Sequence, residues 1–228
     1  MNAIIIAAGS GKRISKEVKN IPKSMVKING KSIIEYQLKV LKQAGIDKIY
    51  VITGPYSDKF NLDDVKYVKD QNYANHDILG SLMEAKKYLK NDILVLYSDI
   101  IFDSKIIQQI LCSKKNISIA IDMNWEKMYE GRTDHHMSEA ENIQLDKMNK
   151  IVEIRKNIQN KNKRVGEFLG IIKFSLNGAE LFVKKYEELI KIHNGTFQQA
   201  PSISKAYITD MIQELINSKI SIEPIFVS

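Results

Sequence analysis

The first apolar run, NAIIIAA at 2–8, carries no charge and ends at Gly9-Ser10-Gly11. A continuous apolar run closed by glycines is the pattern of a buried parallel strand entering a tight turn. Residues 32–44, SIIEYQLKVLKQA, repeat apolar side chains at helical spacing; Ser32 can cap this helix and Gly45 supplies its stop. The alternation continues with strands at 46–53 and 65–68, a helix at 79–89 and a strand at 92–97. A helix at 104–111 and a strand at 117–123 follow. Repeated β and α segments predict an α/β fold with a mostly parallel, doubly wound sheet, which binds ligands at the carboxyl ends of its strands.

After Met123 the alternation loosens. The polar stretch WEKMYEGRTDHHMSEAEN, strand-like pieces at 143–146 and 150–155 and a polar loop at 157–164 predict a small lid or acceptor insertion at about 124–165. EFLGIIKFS at 167–175 returns to the sheet, helices follow near 177–193 and 205–218, and SIEPIFVS reads as a last strand. No repeat, proline-rich linker or low-complexity tract divides the sequence. With 228 residues, against about 150 for an average domain, the expectation is a single domain over 1–228 that carries the insertion.

Composition narrows the class. Hydrophobic residues make up 44% and charged residues 27%, which is the balance of a soluble globular protein with a substantial core. The apolar stretch Ala3 to Ala8 is too short for a signal peptide or a membrane span, so a cytoplasmic protein with no membrane partner is expected. One cysteine, Cys112, excludes an internal disulfide framework and any multi-cysteine metal site.

The formal charge of +7 is unevenly spread. Residues 1–42 hold nine basic side chains and two acids, and the remainder balances at 25 of each. The excess therefore lies around the loop after the first strand, where it favours a bound polyanion. No interleaving of aromatic and basic residues accompanies it, which argues against a nucleic-acid partner.

The loop itself is Ala7-Ala8-Gly9-Ser10-Gly11-Lys12-Arg13. Its backbone amides can converge on phosphate oxygens while Lys12 and Arg13 neutralise them. A dinucleotide fingerprint would need a third glycine where Ile14 stands and an acid near Thr53-Gly54-Pro55. A Walker loop needs four residues between its glycines, and only Ser10 separates Gly9 from Gly11. Both readings fail.

AAGSGKR, followed after a short basic loop by Pro22-Lys23, resembles the A-A-G-x-G-x-R and P-K signature of the nucleotidyltransferases that activate sugars, choline and related alcohols. The resemblance runs over essentially the whole chain and implies a Rossmann-like α/β/α sandwich of the nucleotide-diphospho-sugar transferase type. It implies that Ala8, Gly9, Ser10, Gly11 and Lys12 wrap the triphosphate, that Arg13 and Lys23 are the catalytic phosphate contacts, and that a divalent metal, Mg²⁺, is required. Asp99 ends the apolar run LVLYSD, where a hard cation could meet a triphosphate, and the family places its first metal aspartate in this motif. Asp103 reads as the cap of the next helix. Asn75, Gly80 and Ser81 enter a helix at the place where relatives hold the base; an Asx turn would equally explain Asn75.

The acceptor end is expected near Trp125, Tyr129 and Arg132: aromatic faces beside acids suit an ammonium, and Arg132 could fork onto a phosphate or phosphonate. A solvated surface is the alternative. The pair His135-His136 is not expected to bind zinc, since adjacent side chains on an extended segment point apart. Together with GEFLG (166–170) and KAYITDMIQELI (205–216), this region is most similar to the cytidylyltransferases acting on choline phosphate or 2-aminoethylphosphonate. Relatives follow the last strand with a W-x-E-I-D-type segment bearing a second metal aspartate. The sequence ends at Ser228, before that segment, and Asp122 and Asp210 are in-chain candidates for a substitute.

The expected reaction is Mg²⁺-dependent transfer of CMP from CTP, or another NTP, to a small phosphorylated or phosphonate amino-alcohol, with release of pyrophosphate. A sugar-1-phosphate nucleotidyltransferase and a non-catalytic nucleotide sensor are the alternatives.

Overall fold

The computed structural model describes residues 1–9, 21–132, 136–158 and 164–227. β1 (Asn2–Ala7) is the centre of the sheet, and its side chains alternate between two apolar layers. Ile4 and Ile6 face one layer, Ala3, Ile5 and Ala7 the other. Each fully buried isoleucine contributes about 1.5–3 kcal/mol, so this one strand anchors both halves of the core. β2 (Lys27–Ile28) and β3 (Lys31–Ser32) form a short hairpin. Its loop is Asn29-Gly30, with both φ angles positive at 51° and 82°, as a two-residue hairpin turn of this sequence requires.

The next segments follow the predicted order: α1 (Ile33–Gln43), β4 (Lys48–Thr53), β5 (Val65–Lys69), α2 (Ile78–Glu84), β6 (Ile93–Tyr97), α3 (Ser104–Cys112) and β7 (Ile117–Asp122). Glu35 reaches back to accept from both the backbone N–H and the hydroxyl of Ser32, at 2.6 Å each, and fixes the start of α1. Gly45 stops that helix at φ 76°. Asp103 caps α3 by accepting from the N–H groups of Lys105 and Ile106. The helix expected over 79–89 ends early, at Glu84, because the last turn tightens at Lys86–Tyr88, where Tyr88 stacks on Tyr50 at 4.0 Å between ring centroids.

β8 (Glu141–Leu145), β9 (Ile151–Lys156), β10 (Arg164–Phe174), α4 (Leu176–Ile192), α5 (Ile208–Asn217) and β11 (Glu223–Val227) complete the fold. The main sheet runs β11-β7-β10-β6-β1-β4-β5, and only β10 is antiparallel to its neighbours. Helices α1 and α3 belong to one apolar layer; α2, α4 and α5 belong to the other. The result is the mostly parallel α/β/α sandwich. The segment expected as an insertion contributes β8, which pairs with the first residues of β10, and β9, which pairs with β8, so that the two extend the sheet. Among the described residues no helix is long and apolar enough to cross a membrane.

Candidate active site

β1 and β6 are parallel neighbours, with Ile6 opposite Tyr97. Their carboxyl ends therefore release Ala8-Gly9 and Ser98-Asp99 side by side. Gly54, just past β4, packs so close that an added Cβ would lie 2.2 Å from the Ala8 carbonyl oxygen. A glycine is required there for the strand ends to converge. The third wall comes from Pro22-Lys23-Ser24: Pro22 and Ser24 are buried, which leaves the Lys23 side chain on the open side of a short helical turn.

These segments line a cleft of about 340 Å³, together with Tyr73, His76, Ser81, Tyr97 and Tyr207. Of the site residues expected from the sequence, it gathers Ala8, Gly9, Lys23, Ser81 and Asp99. Ser10, Gly11, Lys12 and Arg13 lie outside the described residues. Lys23 Nζ is 3.3 Å from Asp99 Oδ2, and both side chains are 41% exposed. An exposed, hard carboxylate oxygen at a strand end fits Mg²⁺, which commonly takes one or two protein carboxylates and fills its octahedron with substrate phosphates and water. Lys23 alongside is placed to neutralise the same phosphates.

Asn75 and Gly80 face a neighbouring groove rather than this cleft. Asn75 donates to Asn72 Oδ1 at 2.5 Å and is engaged in its own loop. Gly80 gives room to the His76 ring, which an added Cβ would strike at 1.8 Å. What organises this loop is Asp70, a fully buried carboxylate that sequence patterning did not single out. Its Oδ1 binds the Asn72 N–H and His76 Nε2, the latter at 2.9 Å, and its Oδ2 accepts from the Ser81 hydroxyl at 2.7 Å. Asp70, His76 and Glu84 bring possible ligand atoms within 4.8 Å of one another. The Asp70 oxygens are already satisfied by protein groups, so the cluster acts as a clamp that sets the loop from β5 to α2 against the cleft. Asp70 follows β5 as Asp99 follows β6, and that position was the available sequence signal.

Trp125, Tyr129 and Arg132 are not part of the cleft lining. Trp125 and Tyr129, 5% and 8% exposed, meet edge to face at 5.7 Å and enclose Ala140. Trp125 donates to the Val165 carbonyl, Tyr129 to Glu167, and the Arg132 guanidinium covers the Tyr129 ring at 4.6 Å. Burial pushes the Tyr129 phenol and the Glu167 carboxyl up from their ordinary values. Of the two aspartates considered as second metal ligands, Asp210 accepts from the Tyr207 and Gln199 N–H groups and Asp122 from Asn124 N–H.

Fold and cleft together are those of a nucleotidyltransferase. Residues 3–129 match the MobA-like NTP transferase domain, and the chain belongs to that family. It is 28% identical to the CTP:phosphoglutamine cytidylyltransferase of Campylobacter jejuni, over 95% of this chain and 88% of that protein. It is 37% identical to the choline-phosphate cytidylyltransferase of Streptococcus pneumoniae over a shorter stretch, 42% of this chain and 43% of the relative. The solved CTP:phosphocholine cytidylyltransferase from Streptococcus pneumoniae superimposes with a TM-score of 0.72 at 21% identity, covering 100% of this chain and 90% of that one. The inositol-1-phosphate CTP transferase from T. maritima gives 0.72 at 16% identity, covering 99% and 84%. At those identities the structural likeness establishes the fold.

Proposed function

We propose that this enzyme transfers CMP from CTP to a small acceptor carrying a phosphate or phosphonate and an amine, releasing pyrophosphate in a Mg²⁺-dependent reaction. The observation that carries the reading is the convergence of Ala8-Gly9, Lys23, Ser81 and Asp99 on one cleft at the carboxyl edge of the sheet. The two cytidylyltransferase relatives, named for phosphoglutamine and choline phosphate, support CTP as donor and a small phosphorylated acceptor.

The chemistry follows from the charges. An acceptor phosphate has its second pKa near about 6, so its oxygen is ionised at neutral pH and no general base is needed. That oxygen bonds to the α-phosphorus in line as the bond to the bridging oxygen of the β-phosphate breaks, and pyrophosphate leaves with the electron pair. The protein's tasks are alignment and charge neutralisation. Lys23 holds the α-phosphate and the acceptor oxygen together; Lys12 and Arg13 take the leaving pyrophosphate. Ser81, with Asn75 and Gly80 behind it, forms the base end, and the Trp125, Tyr129 and Arg132 cluster belongs to the acceptor end. Asp99 holds Mg²⁺, which when bound offsets the negative charge of the triphosphate.

The test is pyrophosphate release with Mg²⁺, each of the four NTPs and a panel of phosphocholine, phosphoethanolamine, 2-aminoethylphosphonate, phosphoglutamine and hexose 1-phosphates. Release that needs CTP and one amine-bearing acceptor is expected. A preference for hexose 1-phosphates would instead assign a sugar nucleotidyltransferase, and NTP binding without any release would leave a sensor.

A further inference from the structure

Beyond the phosphate-handling groups, the structure holds a second polar cluster behind Tyr97 and Tyr207 of the cleft wall, whose charged side chains are not themselves among the residues lining the cleft. Glu141 opens β8 and stands directly opposite Lys156, the last residue of β9. Thr209, at the start of α5, donates to Glu141 Oε1 at 2.9 Å. The Lys156 ammonium lies 3.9 Å from the centre of the Tyr207 ring. Tyr207 and Tyr97 both line the cleft, and Tyr97 lies in the electrostatic field of Glu141. Asp210 accepts from two backbone N–H groups, whereas Glu141 Oε1 accepts from the Thr209 hydroxyl.

Glu141 is held firmly. The preceding residue, Ala140, is 1% exposed and is enclosed by Trp125 and Tyr129, and its carbonyl accepts from Asn157 N–H at 3.3 Å. The aromatic pair thus braces the entry to β8 instead of presenting open faces to a ligand. Burial raises the Glu141 carboxyl above its ordinary value, with Thr209 and Lys156 opposing that shift. A carboxylate kept partly desolvated beside a cleft gains by pairing with a cation that arrives with the substrate.

We propose that Glu141 and Lys156 read a zwitterionic acceptor head, Glu141 binding its ammonium and Lys156 its carboxylate, which makes the acceptor a phosphorylated amino-acid-like molecule. The pairing of opposite charges carries the choice. A headgroup with only a positive charge would be drawn to Glu141 and repelled by Lys156, its cross-strand neighbour. A head with both charges satisfies both residues, and the Tyr97 and Tyr207 rings supply walls for the carbon between them. Trp125 and Tyr129 are then positioning residues that act through Ala140.

This inference rests on the proposed transfer reaction and narrows its acceptor. The experiment compares kcat/KM for phosphoglutamine and O-phosphoserine, which carry both charges, with phosphoethanolamine and phosphocholine, which carry the amine alone, and with glycerol phosphate, which carries neither. Wild type is expected to favour the first pair by at least about tenfold, the scale of one charge-assisted hydrogen bond. Glu141→Gln should lower kcat/KM for the amine-bearing acceptors by about ten- to hundredfold with the KM for CTP unmoved, and Glu141→Asp should restore part of it. Lys156→Met should erase the preference for phosphoglutamine over phosphoethanolamine. An unchanged acceptor ranking in both variants overturns the proposal, as does a wild-type preference for phosphocholine. Calorimetric binding of O-phosphoserine to wild type and Glu141→Gln, with a non-hydrolysable CTP analogue present, tests the same contact without turnover: equal affinities overturn it. Absence of CTP turnover with every acceptor, alongside a clear difference in that binding, would instead fault the transfer reading and leave the headgroup site standing.

Discussion

Replacing Lys23 with alanine separates catalysis from folding. The side chain projects from a turn whose backbone is set by its neighbours: Pro22 and Ser24 are buried, and Met25 N–H donates to the Pro22 carbonyl at 2.8 Å. Among the described residues the ion pair lost is with Asp99, 3.3 Å away, and both partners are 41% exposed. At that separation two unit charges interact by about 1.3 kcal/mol in a water-like dielectric, and the cost of ordering two side chains offsets much of this. The stability change should therefore stay within about 1 kcal/mol, a shift in Tm of no more than about 4 °C for a chain of this size. The kinetic loss should be far larger. In the proposed reaction a triphosphate displaces water from the cleft and Lys23 becomes a fixed cation at the reacting phosphate; deleting one such group costs about 10²–10³ in kcat, or about 2.7–4 kcal/mol. Pyrophosphate release under saturating CTP, read beside a thermal melt, measures both. A kcat within threefold of wild type would refute the catalytic role, and a fall in Tm above about 10 °C would make Lys23 a structural residue instead.

Three further outcomes follow from the packing. Gly170 has φ 69°, and an added Cβ would sit 2.5 Å from the Tyr97 ring; Gly170→Ala should cost about 2–4 kcal/mol in a denaturant melt and raise the acceptor KM by displacing Tyr97. Trp125→Ala empties the small cluster around Ala140; a loss of about 3 kcal/mol is expected, with acceptor KM rising and CTP KM constant. Burial raises the Glu141 carboxyl, so the folded state holds that proton more tightly than the unfolded chain. The resulting penalty is absent below the unfolded pKa of about 4.3 and complete above the folded value, so stability falls as pH rises between them. Glu141→Gln should remove that slope, giving a higher Tm than wild type at pH 7 and no gain at pH 4, in melts across the range.

The sequence was most informative where local chemistry decides the structure. Residues 3–8, AIIIAA, are buried on both faces because they are apolar at every position, and Ser32 and Asp103 start the helices they were expected to start. What could not be read is what depends on pairing. An apolar run such as EFLGIIKFS has no direction in its periodicity, and β10 proved antiparallel. The partnership of Glu141 with Lys156 exists through the register of a hairpin whose turn lies between them. Trp125 and Tyr129, beside acids, read as open faces for a ligand; they close on each other over Ala140, the residue before β8, and Val165 of β10.

The same strand explains how the two ends of the cleft are kept in register. β10 pairs through Ile171 with Leu96 of β6, the strand that leads to Asp99, and through Glu167 with Asn142 of β8, the residue after Glu141. Those two contacts are four positions apart along β10, at most about 14 Å of extended chain, and Gly170 bends the strand within that interval against the Tyr97 ring. The proposed metal end at Asp99 and the proposed headgroup end are therefore fixed to one piece of backbone, with no hinge between them among the described residues. In-line transfer needs the acceptor phosphate held within about 3–3.5 Å of the α-phosphorus, and a short rigid link meets that demand better than two bodies closing on each other. It follows that acceptor length should be read as strictly as acceptor charge: one methylene added between phosphate and amine moves the reacting oxygen, and its effect belongs in kcat more than in KM.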